Sequence, residues 1–170
     1  MRSKKFSRAV HKAGLHEHKT VQSGQKNQKE NTIMEKEMNM EMEDKSTVES
    51  KLEVAKNLTP KRNILVARML TEDWSLGPVK TSVYPDDNKV FWNGIARSWQ
   101  IEPIEARRRL CSNCEYYNNT PAFIEAMEHI PINAFDKDGG GRGFCFEFDF
   151  ICHSLRTCRA WEEKEFIEED

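Results

Sequence analysis

Apolar positions in the first sixty residues are sparse, and those present fall at helical spacing. Met34, Met38 and Met42, followed by Val48, Leu52 and Ala55, lie in a run rich in helix formers and predict an amphipathic helix over 34–58. Such a helix is marginal alone in water, so it needs a partner face, either on another chain or on its own carboxy-terminal domain. Thr59-Pro60 reads as its stop. Ile64 to Leu70 (ILVARML) is a short apolar run, strand or buried helix, in a stretch (61–88) that otherwise has linker character. Gly77-Pro78 and Tyr84-Pro85-Asp86-Asp87 mark loop and turn there.

A stronger helical pattern follows. Val90, Phe91, Ile95, Ser98 and Trp99 gather on one side of a helix from about Asp87 to Gln100, with Asp87 or Asn88 as N-cap. Pro103 suits the first turn of a short helix (PIEARRRL), and Thr120-Pro121 the N-cap and first position of another that runs to about Ile130. Residues 136–143 (DKDGGGRG) read as a loop. Phe144 to Cys152 (FCFEFDFIC) alternates strictly. It predicts one strand with Phe144, Phe146, Phe148 and Phe150 on one face and Cys145, Glu147, Asp149 and Ile151 on the other. The expected fold class is therefore α+β: a polar tail with a helix (1–60), a linker (61–88), a small cysteine-rich domain (89–161) and an acidic end (162–170).

Composition sharpens this division. The whole chain is 38% apolar and 32% charged, yet residues 1–60 hold no Trp, Tyr or Cys and a single Phe. Three of the four Trp and all five Cys fall between Val90 and Trp161. A segment that short needs a metal or disulfides to reinforce its core. The net charge of −2 hides a basic arm, eight Lys or Arg against two Glu in residues 1–30, and six acidic groups in 162–170. The arm can meet nucleic acid or an acidic protein surface by charge alone, or serve only as a solvated tail. No signal peptide and no membrane span are expected, because no apolar run approaches the required length. In a reducing cytoplasm, an odd number of clustered cysteines points to metal ligation rather than disulfides.

Cys111-Ser112-Asn113-Cys114 is a C-x2-C pair, which lets two thiolates converge on one centre from a single turn. Its partners lie downstream at Cys145, Cys152 and Cys158, with Trp161 following. A zinc ribbon repeats a second close pair, and none is present, although Cys152-His153 offers a mixed ligand, so Zn2+ stands as the alternative metal. Arg107, Arg108 and Arg109 precede the first cysteine as a solvated helical face, as charge compensation for a metal-thiolate centre, or as a docking surface. No Gly-rich phosphate loop, nucleophile elbow or paired catalytic carboxylates stand out, so no enzyme is expected.

The order C-x2-C, long insert, C-x12-C-x2-W resembles the high-potential iron-sulfur proteins, small electron carriers that hold one 4Fe-4S cube in an aromatic pocket. The resemblance implies Cys111, Cys114, Cys145 and Cys158 as ligands, and Tyr116, Tyr117, Phe144, Phe146 and Trp161 as the shielding shell. It leaves Cys152 as a buried small hydrophobe, or as a replacement for Cys145 or Cys158. Four thiolates on a cubane of charge 2+ give −2, and an apolar pocket disfavours adding a further electron, hence a high potential. The overall plan also resembles that of small bacteriophage proteins. It implies a structural or interaction protein of a virion, made in the host cytoplasm and bound to other protein subunits, with an electron carrier and a zinc-bound nucleic-acid or protein-binding module as the rival functions.

Overall fold

The computed structural model describes residues 22–164 apart from 83, 85 and 135. The basic arm before Gln22, the acidic groups beyond Lys164 and the side chain of Met42 lie outside the described residues. The chain divides into two units, Met1–Asp44 and Lys45–Asp170. In the first, the described residues are helical, and Ile33, Met34 and Met38 are exposed. No described helix is long and apolar enough to cross a membrane.

Helix α1 spans Gln22–Lys56 and starts well before the predicted residue 34. Its last turns follow the predicted stripe. Ala55 is buried, and Val48 and Leu52 are half-buried, against Phe123, Phe144 and Phe146. Pro60 is not a terminator only. It occupies the first turn of α2 (Pro60–Asp73), whose N-cap Thr59 accepts a hydrogen bond from the Arg62 amide through Oγ1 at 3.2 Å. Asn63, Val66 and Leu70, spaced three and four apart, form the buried face. The first part of the stretch expected as linker is thus a packed helix, and the irregular chain begins only after Asp73.

Helix α3 (Lys89–Trp99) buries Trp92, Ile95 and Ala96, while Val90, expected on that face, is 87% exposed. Asn88 stands at the N-cap but in a left-handed conformation. Its side chain donates to Lys80 O at 2.8 Å rather than capping the helix. With α4 (Pro103–Ala106), α3 builds a satellite core in which Phe91, Trp99, Ile101 and Leu110 pack around Trp92 and Ala106.

Three strands complete the unit: β1 (Tyr117–Asn118), β2 (Arg142–Cys145) and β3 (Phe150–His153), antiparallel in that order, with α5 (Pro121–Ala126) between the first two. The FCFEFDFIC segment is therefore a hairpin, not one strand. Asp149 adopts φ 53° and donates its amide to Cys145 O at 2.9 Å, which reverses the chain over 146–149. Lys51 of α1 braces this turn by donating to Phe146 O and pairing with Asp149 Oδ1 at 2.7 Å.

The register decides which residues share a face. Tyr117 pairs with Cys145, Cys145 with Phe150, and Gly143 with Cys152, whereas Asn118 pairs with Phe144, Phe144 with Ile151, and Arg142 with His153. Partners across an antiparallel ladder point the same way. One face thus carries Tyr117, Gly143, Cys145, Phe150 and Cys152, and the other Asn118, Arg142, Phe144, Ile151 and His153. Gly143 is required because the Tyr117 ring lies over it. A Cβ there would stand 2.2 Å from Tyr117 Cε2.

Candidate metal centre

The five cysteines arrive from separate segments. Cys111 opens a 3₁₀ turn (Cys111–Asn113), anchored by its amide donating to Arg156 O at 2.6 Å, and Cys114 closes that turn with its amide on Cys111 O at 3.0 Å. Cys145 ends β2, Cys152 lies within β3, and Cys158 follows two residues after Arg156. All five are free thiols, four buried and Cys158 half-buried. They share one apolar cluster with Val66 and Leu70 of α2, Leu76, Tyr117 and Phe150, flanked by Tyr116, Phe148 and Trp161.

Two of the five expected shell aromatics thus lie elsewhere. Tyr116, Tyr117 and Trp161 pack in the cysteine cluster, while Phe144 and Phe146 lie in the other core, within 5.6 and 5.2 Å of the Phe123 ring. The turn at 146–149 causes this. It inverts the parity that a continuous strand would keep, so Phe150 and Phe148 join the cysteines instead. Trp74, 5.4 Å from Phe148, extends this rim. Phe150 was recoverable from sequence only by recognising a hairpin inside an unbroken alternation.

Of the three arginines before Cys111, Arg107 lies over Trp92 at 5.3 Å and Arg108 pairs with Glu105 at the surface. Arg109 stacks on both Trp99 (5.3 Å) and Trp161 (4.9 Å), so it is the one beside the cysteine cluster. Trp161 Nε1 donates to Leu110 O at 3.0 Å and to Asn113 Oδ1 at 3.1 Å, which ties the indole to the C-x2-C turn.

Electrostatics separates the thiols. Burial pushes Cys114 up, and the charges of Cys111 and Cys145 add to the rise. Burial likewise lifts Cys158 to about 12, reinforced by Cys111, Cys145 and Cys114. Cys145 is held below its usual value, first by a hydrogen bond from the Cys152 thiol. Backbone amides two residues downstream also face three of the sulfurs: Tyr116 at Cys114, Glu147 at Cys145 and Ala160 at Cys158. At the first two sulfurs the larger amide contributions come from Glu162 and Phe148. Such donors favour the thiolate and are the hydrogen bonds that tune metal-sulfur centres. Cys152 differs. Burial and its bonds to Cys111 and Cys145 drive it far up, so it stays a neutral thiol, 3.5 Å from Gly143 O.

No family model, curated protein or solved structure matches this chain. Among the described residues, no three His, Cys, Asp or Glu side chains converge closely enough to hold a metal ion. Ligands of one tetrahedral zinc stand roughly 3.8 Å apart, the spacing that Zn–S bonds of about 2.3 Å impose. A four-iron cube spreads its thiolates over its corners, so it asks for a common buried chamber rather than a single point.

On the opposite sheet face lies a polar network. His153 Nε2 donates to Asp136 Oδ1 at 2.6 Å, and its Nδ1 accepts from Arg156 Nη1 at 3.2 Å. Burial depresses His153, and the cations of Arg156 and Arg142 reinforce this against the pull of Asp136. An unfolded histidine near 6.5 then binds protons that the folded one refuses, so stability rises with pH through this window and is lost as pH falls below about 6.5. The urea midpoint should drop between pH 7.5 and pH 5, and His153→Gln should flatten that drop.

Proposed function

We propose that the Lys45–Asp170 unit is a structural module reinforced by a 4Fe-4S cluster of the high-potential type, ligated by Cys111, Cys114, Cys145 and Cys158. The chain then serves as an interaction protein of a larger assembly, a virion component by its resemblance. The observation that carries the reading is one apolar cluster in which free thiols from separate segments meet. The charges of Cys111 and Cys145 oppose ionisation of Cys114 and of Cys158, and a multiply charged iron centre would relieve it.

The cluster would supply fold stability and, if cycled, one-electron chemistry. This chain's residues shield and orient it. Phe148, Phe150, Tyr117 and Trp161 exclude water, the 3₁₀ turn sets Cys111 and Cys114 side by side, and Arg109 places a cation over Trp161. The exposed Ile33, Met34 and Met38 of α1 give other subunits an apolar contact.

Protein purified without oxygen should be brown and contain about four irons and four sulfides per chain. A colourless preparation holding one zinc would overturn the cluster and leave a structural zinc module. Reversible one-electron titration without unfolding would favour the electron carrier over the structural role.

A further inference from the structure

Three indoles and two guanidiniums alternate in one connected series on the Lys45–Asp170 unit. Arg159 Cζ lies over the Trp74 ring at 5.9 Å. The Arg159 carbonyl accepts from Trp99 Nε1 at 3.2 Å, and the Trp99 and Trp161 rings stand 6.3 Å apart at an angle of 58°. Arg109 bridges that pair, its Cζ 5.3 Å from the first centroid and 4.9 Å from the second. The order is thus Trp74, Arg159, Trp99, Arg109, Trp161, drawn from the ends of α2 and α3, the approach to Cys111 and the chain after β3.

The series is held in place and open to solvent. Leu110 O and Asn113 Oδ1 fix the Trp161 indole, and Arg159 Nη2 donates to Asp73 O, so little side-chain freedom is left for a ligand to remove. Trp74 is 39% exposed, Arg159 is exposed, and Trp99, Arg109 and Trp161 are half-buried. Neither cation has a carboxylate partner among the described residues, where the ion pairs involve other groups. Glu105, four residues before Arg109, is taken by Arg108 at 3.0 Å.

A ligand that satisfies unneutralised guanidiniums and open aromatic rings together is anionic and planar at once. Phosphates pair with arginine, and bases stack on indoles and on guanidinium planes. An acidic peptide would meet the cations but leave the rings uncovered, and a duplex hides the faces of its bases. We propose that this series binds single-stranded nucleic acid, with phosphates at Arg109 and Arg159 and bases stacked along the indoles, Trp74 being the most open. The site is separate from the basic arm and does not rest on the cluster proposed above.

The test titrates the full chain with labelled oligothymidine of about 15 nucleotides, following anisotropy and tryptophan emission together. Binding should quench the emission and be tighter than to a duplex of the same length. Trp74→Ala should weaken it about tenfold while Trp74→Phe keeps most of it. Arg109→Gln and Arg159→Gln should each make the slope of log K against log salt shallower by about 0.7. Thermal melts show which variants fold, and Arg109→Gln, outside the apolar clusters, decides the matter should Trp74→Ala unfold. Absence of binding at low salt overturns the proposal. So does unquenched binding shared by every variant, which assigns the interaction to the basic arm. Equal quenching by polyglutamate, or tighter binding of the duplex, also overturns it.

Discussion

Replacing Asp136 by alanine is expected to cost about 3–5 kcal/mol, a large share of what holds a domain of this size together. Its side chain is 8% exposed and accepts from four donors. Arg142 bonds it twice, from Nε at 2.8 Å and from Nη2 at 2.9 Å, the Asn133 amide adds a bond at 2.6 Å, and His153 Nε2 adds another at 2.6 Å. Burial alone would raise this carboxyl, but these donors outweigh it and hold Asp136 well below the usual carboxylate range. Removing the carboxylate leaves the largely buried Arg142 without its anion and His153 with an orphaned donor. Arg142 Nη1 on Ile130 O and Nη2 on Pro131 O then hold the guanidinium in place rather than letting it escape to water. Chemical denaturation at pH 7.5 reads the loss, and a change under 1 kcal/mol would mean that the network is solvated in solution.

Phe144→Ala should cost a comparable ~3–5 kcal/mol and, on the cluster proposed above, leave the iron content of the folded fraction unchanged. Phe144 is fully buried, stacks on Phe123 and meets Phe146 edge-on at 6.2 Å. Phe150→Ala should weaken both stability and iron retention, because its ring lies on the cysteine face. Equal iron loss from both variants at a temperature where both remain folded would deny the division of the sheet into an aromatic face and a thiol face.

That division shows where sequence reading stops. The amphipathic stripe of Val48, Leu52 and Ala55, the helix from Lys89 and the Thr120-Pro121 start were all legible, because each rests on contacts three or four residues apart or on a local cap. The α+β class followed from the same patterns. Helix α2 was missed in part because Pro60 signals both an end and a beginning, and only the Thr59 cap geometry settles which. Val90 was misplaced because a pattern of apolar residues does not say which edge of the stripe meets the core. The hairpin was invisible for a stronger reason. Its turn is made by Phe146, Glu147, Phe148 and Asp149, with neither Gly nor Pro, and its stability comes from Lys51, a residue 98 positions before Asp149. At the cysteines, spacing identified the C-x2-C pair, but only the pairing register sets Cys152 on the sheet face that carries Cys145.

The hidden turn also bears on misfolding. In an unfolded chain the nine residues from Phe144 to Cys152 are free to extend as one strand, with four phenylalanines along a single edge, the pattern that stacks into intermolecular sheets. Glu147 and Asp149 on the alternate positions oppose such stacking by like-charge repulsion. Asp149 turning left-handed under the Lys51 ammonium commits the segment to fold back on itself. Lys51 is thus a gatekeeper supplied from a distant helix, and until that helix docks the segment remains open to self-association.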